Sequence, residues 1–416
     1  MLKAVQEKLG PGLIFAATAV GVSHLVQSTR AGATYGLSML LLVLFVCAVK
    51  YPPFLFAARY TAATGKTIVE GYHNLGRWIL YVFLFLQGFE LLVALTGVSL
   101  VTAGIVKHVL GLASIADAHV ALALVVLSIG MLALGKYALL ENFTKVLVSV
   151  FCITTVAATI AAIAGWEAPA LSAAAPLRFD RSTTLFLVAI AGWMPIGMVG
   201  AVTLSLWVDA KRKTLNRPLT VAETDFDFNL GYVATIFTAL CFVVLGSYVL
   251  LGRGIEIVND GAGFAAQLMS LFTDTLGGWA YLLVALCAFV VMYSSLLALT
   301  DAFPRVTTRV IERLWPNGRL LSNERRLFQG LTVVQLLVVF SMLMALSGSF
   351  AASVDMVNSL GFVVAPFVAL FNHLAVYSRD VPAADQPGRL LRLWSMGTIV
   401  VLSVVALVYV YFKLTA

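Results

Sequence analysis

The chain has 416 residues, of which 61% are hydrophobic and only 11% charged, whereas a soluble domain carries about 25% charged residues. That balance leaves almost no room for a soluble domain and describes a polytopic membrane protein. The formal net charge of +7 does not indicate nucleic acid, because the basic residues fall between hydrophobic segments, where they set orientation in the bilayer.

The first residues imitate a secretory signal, with Lys3 and Lys8 ahead of an apolar run. Gly10-Pro11-Gly12 interrupts the approach, however, and the apolar pattern continues to about Tyr35, so it is read as a span that is kept. A membrane helix needs roughly 20 apolar residues. On that measure eleven spans are expected, at 11–34, 37–63, 77–106, 119–135, 142–165, 183–209, 226–251, 277–301, 326–347, 351–378 and 391–412. The connectors 210–225 and 302–325 are basic. Within 252–276, Phe264, Leu268, Leu271 and Phe272 follow helical spacing, which suits a helix lying on the membrane surface. No low-complexity linker divides the chain, so 1–416 is one transmembrane domain.

The loops fix the orientation. With the N-terminus in the cytoplasm, twenty of the 27 Lys and Arg fall inside, six outside, and Lys50 lies within a span. The bias predicts an N-in, C-out protein of a bacterial inner membrane.

Two spans are interrupted near their centres, at Gly21-Val22-Ser23-His24 and at Ala191-Gly192-Trp193-Met194-Pro195-Ile196-Gly197. In lipid every backbone polar group needs an internal partner, so an interruption implies a cavity or a ligand. Spans one to five (11–165) begin with a broken span and so do spans six to ten (183–378). Five spans per half force the second half to enter inverted, and paired breaks in an inverted repeat mark a transporter's binding site. Span eleven (391–412) is an addition.

Glu90 is the one acid deep in a span, and Lys50 lies at similar depth in the neighbouring span. Charges near mid-bilayer pair or line a pathway. The two readings are a structural Lys50–Glu90 ion pair, or a titrating or substrate-facing role for one of them. Gln27 and Arg30 share a face with Ser23 and suit an outward vestibule, the alternative being that Arg30 meets the outer headgroups. Asp209/Lys213 and Asp301/Arg305 read as structural pairs; an inner vestibule is only the lesser reading of His373 with Asn372. The four cysteines, Cys47, Cys152, Cys241 and Cys287, stand singly in apolar runs and read as small buried hydrophobes. No cofactor is expected. His-Glu-x-x-His, Gly-x-Ser-x-Gly and paired intramembrane aspartates do not occur, which speaks against an enzyme.

The runs Gly10-Pro11-Gly12-Leu13-Ile14, Ala31-Gly32-Ala33-Thr34-Tyr35-Gly36 and Ala57-Ala58-Arg59 with Thr64-Gly65-Lys66, and Met194-Pro195 in span six, resemble the NRAMP divalent-metal transporters across essentially the whole chain. The resemblance implies an all-α LeuT-like fold, in which helices one and six unwind around a central site. It also marks this chain as divergent. Where the family has Asp-Pro-Gly-Asn, this sequence has Gly21, Val22, Ser23 and His24. Where the family continues Met-Pro-His, it has Met194-Pro195-Ile196. What the resemblance still offers is Met194, the Ala191 carbonyl and Asn358 in span ten.

The expected substrate site is therefore Gly21, Ser23, His24, Ala191, Met194 and Asn358, with His24 and Met194 as metal ligands. Gln27, Lys50, Glu90 and Trp193 are expected on the pathway or in coupling. The expected function is alternating-access transport of a small inorganic ion, a divalent metal first, coupled to a proton or another ion. A site of this composition has no formal negative charge to offset desolvation of a dication. Half-helix N-termini can face an anion, so a small anion such as bicarbonate, or a neutral solute, is the alternative. A channel is the remaining rival.

Overall fold

The computed structural model describes residues 10–112, 114–134, 137–167, 169, 174–178, 180–258, 260–316, 323–345 and 350–415, without the side chains of 137–146, 351, 352 and 358. Every regular element among them is helical. Among the described residues, eight helical stretches are long and apolar enough to cross a membrane, and a ninth, Asp117–Ala133, is 17 residues of the same character. Spans one and six are in pieces, as expected of a protein with unwound central helices.

Span one runs as Pro11–Ala19, then a π-helical turn over Ser23–Ser28, then Thr29–Tyr35. The interruption is narrower than the sequence suggested and falls at Val20-Gly21. Span six runs as Arg181–Trp193 and Gly200–Leu215. Its break covers 194–199, so Ala191, Gly192 and Trp193 remain in the first half-helix. Proline excludes the preceding residue from helical geometry, and the helix stops one residue before Met194. Span ten is also interrupted, between Phe350–Phe362 and Ala365–Val376. The remaining spans are Met39–Thr64, Arg77–Leu110, Asp117–Ala133, Tyr137–Gly165, Val221–Leu245 with a further short turn to Arg253, Ala280–Leu314, Glu324–Ala345 and Arg389–Leu414.

The halves repeat in a second respect. A short helix joins the second and third span of each, Ile68–Leu75 in the first half and Gly261–Leu276 in the second. They lie on opposite faces, as an inverted repeat requires. Thr67 and Glu70 form a capping box at the start of Ile68–Leu75, and Asp260 caps Gly261–Leu276 through the Gly263 N–H. Phe264, Leu268, Leu271 and Phe272 of the second helix are all at most 2% exposed and pack on spans three, five and eight. Their apolar face thus turns into the protein, not onto a bilayer surface. Spacing reveals such a face, but not what covers it.

Spans one and seven clasp each other closely. A Cβ on Gly12 would collide with the Asp227 carbonyl, and one on Gly231 with the Gly12 carbonyl. Further along, Gly32 and Gly246 make the same approach to Val243 and Thr29. Such small-residue contacts let membrane helices pack backbone to backbone. The Asp227 carboxylate also accepts the Gly10 and Gly12 N–H groups, each at 2.8 Å. Span two joins the cluster through an Arg59–Asp225 ion pair, Tyr51 to Asn229 at 2.7 Å and Tyr232 to the Cys47 carbonyl at 2.7 Å. The i,i+4 pairs Asp209/Lys213 and Asp301/Arg305 form as expected, and all four cysteines are free thiols.

Candidate substrate site

The two breaks meet. The hydroxyl of Ser23, just past the first break, lies 3.2 Å from the Pro195 carbonyl in the second. Around this junction lies a cavity of about 70 Å³, lined by Gly21, Ser23, Glu90, Trp193, Gly197 and Ser295 among others. Its wall extends through Thr18, Trp207 and Ala302 toward the face on which the chain begins.

Among the described residues, Glu90 is the only ionisable group on that wall, and it is 1% exposed. One carboxylate oxygen accepts the Val199 N–H at 2.9 Å, at the start of the half-helix Gly200–Leu215, where the helix dipole favours an anion. The other oxygen is buried and has no hydrogen-bond partner among the described residues. A bare buried carboxylate oxygen is expensive, and its residue stands on the wall of the cavity between the breaks. Gly197 is what admits the oxygen bonded to Val199: a Cβ there would overlap it. Trp193 also lines the cavity, and its indole N–H is buried without a partner among the described residues.

The other expected residues are distributed around this centre. Gly21 and Ser23 are on the cavity wall. His24 is fully buried but turned toward span seven. Its Nδ1 is 2.9 Å from the Ser23 hydroxyl and its Nε2 is 3.0 Å from the Thr235 carbonyl, so as folded neither nitrogen is open to a metal. Met194 is 0% exposed and Ala191 8%, and neither is among the lining residues. The Asn358 side chain lies outside the described residues. Among those described, no group of three or more His, Cys, Asp or Glu could hold a metal ion.

Lys50 does not pair with Glu90. Its ammonium donates to the Gly192 carbonyl at 2.7 Å and the Ile196 carbonyl at 3.4 Å. Equal depth along two helices does not fix which way each side chain points. Gln27 and Arg30 meet a partner that spacing within span one could not disclose, Asp355 of span ten. Arg30 binds both its carboxylate oxygens, at 2.6 and 3.0 Å, and Gln27 donates to it at 3.0 Å. Asn372 bridges Tyr72 and the Pro53 carbonyl, and His373 meets Ser395. Those two bind spans together and do not line the cavity.

Over 302 residues the chain is 33% identical to "Uncharacterized protein PM0681" of Pasteurella multocida, covering 71% of this chain and 69% of the relative. The chain belongs to the PM0681 family. No family model matches it. Among solved structures, the PM0681-family chain is similar to a point mutant of the Eremococcus coleocola manganese transporter, with a TM-score of 0.68 at 14% identity, over 96% of this chain and 85% of that one. It is similar to MhsT in complex with L-phenylalanine, with a TM-score of 0.62 at 14% identity over 96% and 98%. A third likeness is to inward-facing Mhp1, with a TM-score of 0.56 at 11% identity over 97% and 90%. At these identities the likeness establishes the fold: this PM0681-family protein has the LeuT fold, with five-plus-five inverted spans, broken spans one and six, and an added eleventh. With its long apolar helices it is an integral membrane protein.

Proposed function

We propose that this chain is an NRAMP-related carrier that moves a small cation by alternating access, with the unpaired carboxylate oxygen of Glu90 as the anionic group of its site. That oxygen carries the reading: it is buried, it belongs to a residue on the wall of the cavity between the two breaks, and it has no partner among the described residues. An intramembrane acid in that position calls for a cation or a proton. The sequence motifs of spans one, two and six support the NRAMP relation, as does the fold shared with the manganese transporter.

The charges that would favour an anion are engaged elsewhere. Lys50 is held by two carbonyls, both nitrogens of His24 are occupied, and Arg30 is paired with Asp355. A divalent ion prefers about six or more oxygen ligands, usually with several carboxylates. With both His24 nitrogens bonded and Met194 absent from the cavity wall, a single Glu90 suits a monovalent inorganic or organic cation best. A divalent metal suits it only with much of its hydration shell retained. Proton exchange at the same carboxylate would supply coupling.

The bias of basic residues puts the starting face of the chain in the cytoplasm of a bacterial inner membrane. The Arg30–Asp355 clamp then closes the outer side, and the cavity leads inward past Trp207 and Ala302. Spans one, two, six and seven, tied by Asp227, Arg59–Asp225 and the glycine contacts, move as a bundle against spans three, four, eight and nine.

Uptake into proteoliposomes of Na⁺, K⁺, methylammonium, Mn²⁺, Mg²⁺ and bicarbonate tests the reading. The expected result is saturable cation uptake, with Met194→Ala within about threefold of the parent, a change of ~0.7 kcal/mol. Bicarbonate uptake without cation uptake would overturn it.

A further inference from the structure

Span two carries Lys50 to the centre of the protein, where it is 0% exposed. Its Nζ is 2.7 Å from the Gly192 carbonyl and 3.4 Å from the Ile196 carbonyl. Gly192 belongs to the last turn of the half-helix Arg181–Trp193, whose terminal carbonyls lack intrahelical partners and carry the negative end of the helix dipole. Ile196 lies within the break itself. The ammonium therefore sits in a cradle of backbone oxygens, with no carboxylate within ion-pair distance among the described residues.

Carbonyl oxygens at the end of a broken helix form the donor set of a small monovalent cation. An ammonium group is a compact point charge on a flexible stem, so a lysine can supply the same charge from a neighbouring helix. We propose that Lys50 is a tethered cation, occupying the place of a free alkali ion at the span-six break, so that none binds there while Lys50 is present. The break keeps its charge balance in every state of the carrier, and transport requires no sodium at this point. The inference concerns the ion at the Gly192–Ile196 carbonyls, not the substrate at Glu90, and neutralising Glu90 lets the two be read apart.

The test is thermal unfolding of the purified full chain in detergent, in chloride salts of Na⁺, K⁺, ammonium, methylammonium and choline at one ionic strength. In a Glu90→Gln background, which removes the charge of the substrate site, the chain with Lys50 intact should unfold at the same temperature in all five. Lys50→Ala in that background should unfold at a lower temperature in choline and regain at least half of the loss in ammonium, methylammonium or K⁺, saturably. Absence of recovery in any small cation would overturn the proposal, and so would a Glu90→Gln chain with Lys50 intact that Na⁺ or K⁺ stabilises over choline. If Lys50→Ala does not accumulate, Lys50→Met keeps the stem and removes the ammonium. Lys50→Met as stable in choline as the Glu90→Gln chain with Lys50 intact would contradict a required cation, and the indifference of that chain to alkali ions remains a test in its own right.

Discussion

Glu90 of span three accepts the backbone N–H of Val199 at 2.9 Å, which seats a carboxylate of one helix at the mouth of the broken helix opposite. The contact depends on the absence of a side chain at position 197. In Gly197→Ala the new methyl would lie on the Glu90 carboxylate, and overpacking of this kind costs about 1–3 kcal/mol. We expect Gly197→Ala to fold less stably and to lose roughly tenfold or more in uptake, since ~1.4 kcal/mol is a factor of ten. Gly130→Ala, where a Cβ meets nothing within 4 Å, should leave uptake unchanged.

The bidentate Arg30–Asp355 pair, with side chains 11% and 28% exposed, joins span one to span ten. Partly buried pairs of this geometry fall between exposed pairs, at up to about 1 kcal/mol, and buried ones, whose rupture costs about 3–5 kcal/mol. Asp355→Asn should therefore loosen that joint. A cysteine placed at Ser23 should then react faster with a membrane-impermeant thiol reagent applied from the Arg30 side, by about tenfold. Unchanged labelling would mean that the pair is not what closes this face.

Asp227 caps the start of span one from span seven through two backbone N–H groups. Loss of a helix cap costs about 0.5–2 kcal/mol, so Asp227→Ala should lower the unfolding midpoint in detergent. Gly231→Ala should lower it further, because its Cβ would meet backbone, which cannot rotate away. Equal effects of the two substitutions would argue against close packing of spans one and seven.

His24 provides a contrast with Glu90. Both its nitrogens are occupied by Ser23 and Thr235, so His24→Gln should affect folding before it affects substrate affinity. A change in KM for the transported cation, at unchanged stability, would place His24 in the site after all.

The spans, their interruption and the depth of Glu90 were legible in the sequence because lipid imposes length, hydropathy and hydrogen-bond completeness on each helix separately. What was not legible depends on azimuth and on partners from distant segments. Lys50 and Glu90 share a depth, but their side chains take different partners. His24 stands beside the break yet faces span seven. Asp355 gave no sign from spacing that it would hold Arg30 and Gln27. The interruption of span ten had a local signal, since Pro366 follows it by two residues, and the end of the first half of span six was set by Pro195. The surface-like helix Gly261–Leu276 shows the same limit: its apolar stripe was visible, its cover was not.

If the free oxygen of Glu90 receives the transported cation, removing its charge must slow uptake. Glu90→Gln keeps an acceptor for the Val199 N–H and removes the charge. Its initial rate of cation uptake into proteoliposomes should fall at least tenfold, ~1.4 kcal/mol or more, with an unfolding midpoint at or above that of the parent. Uptake at the parental rate by a well-folded Glu90→Gln would contradict that role for Glu90.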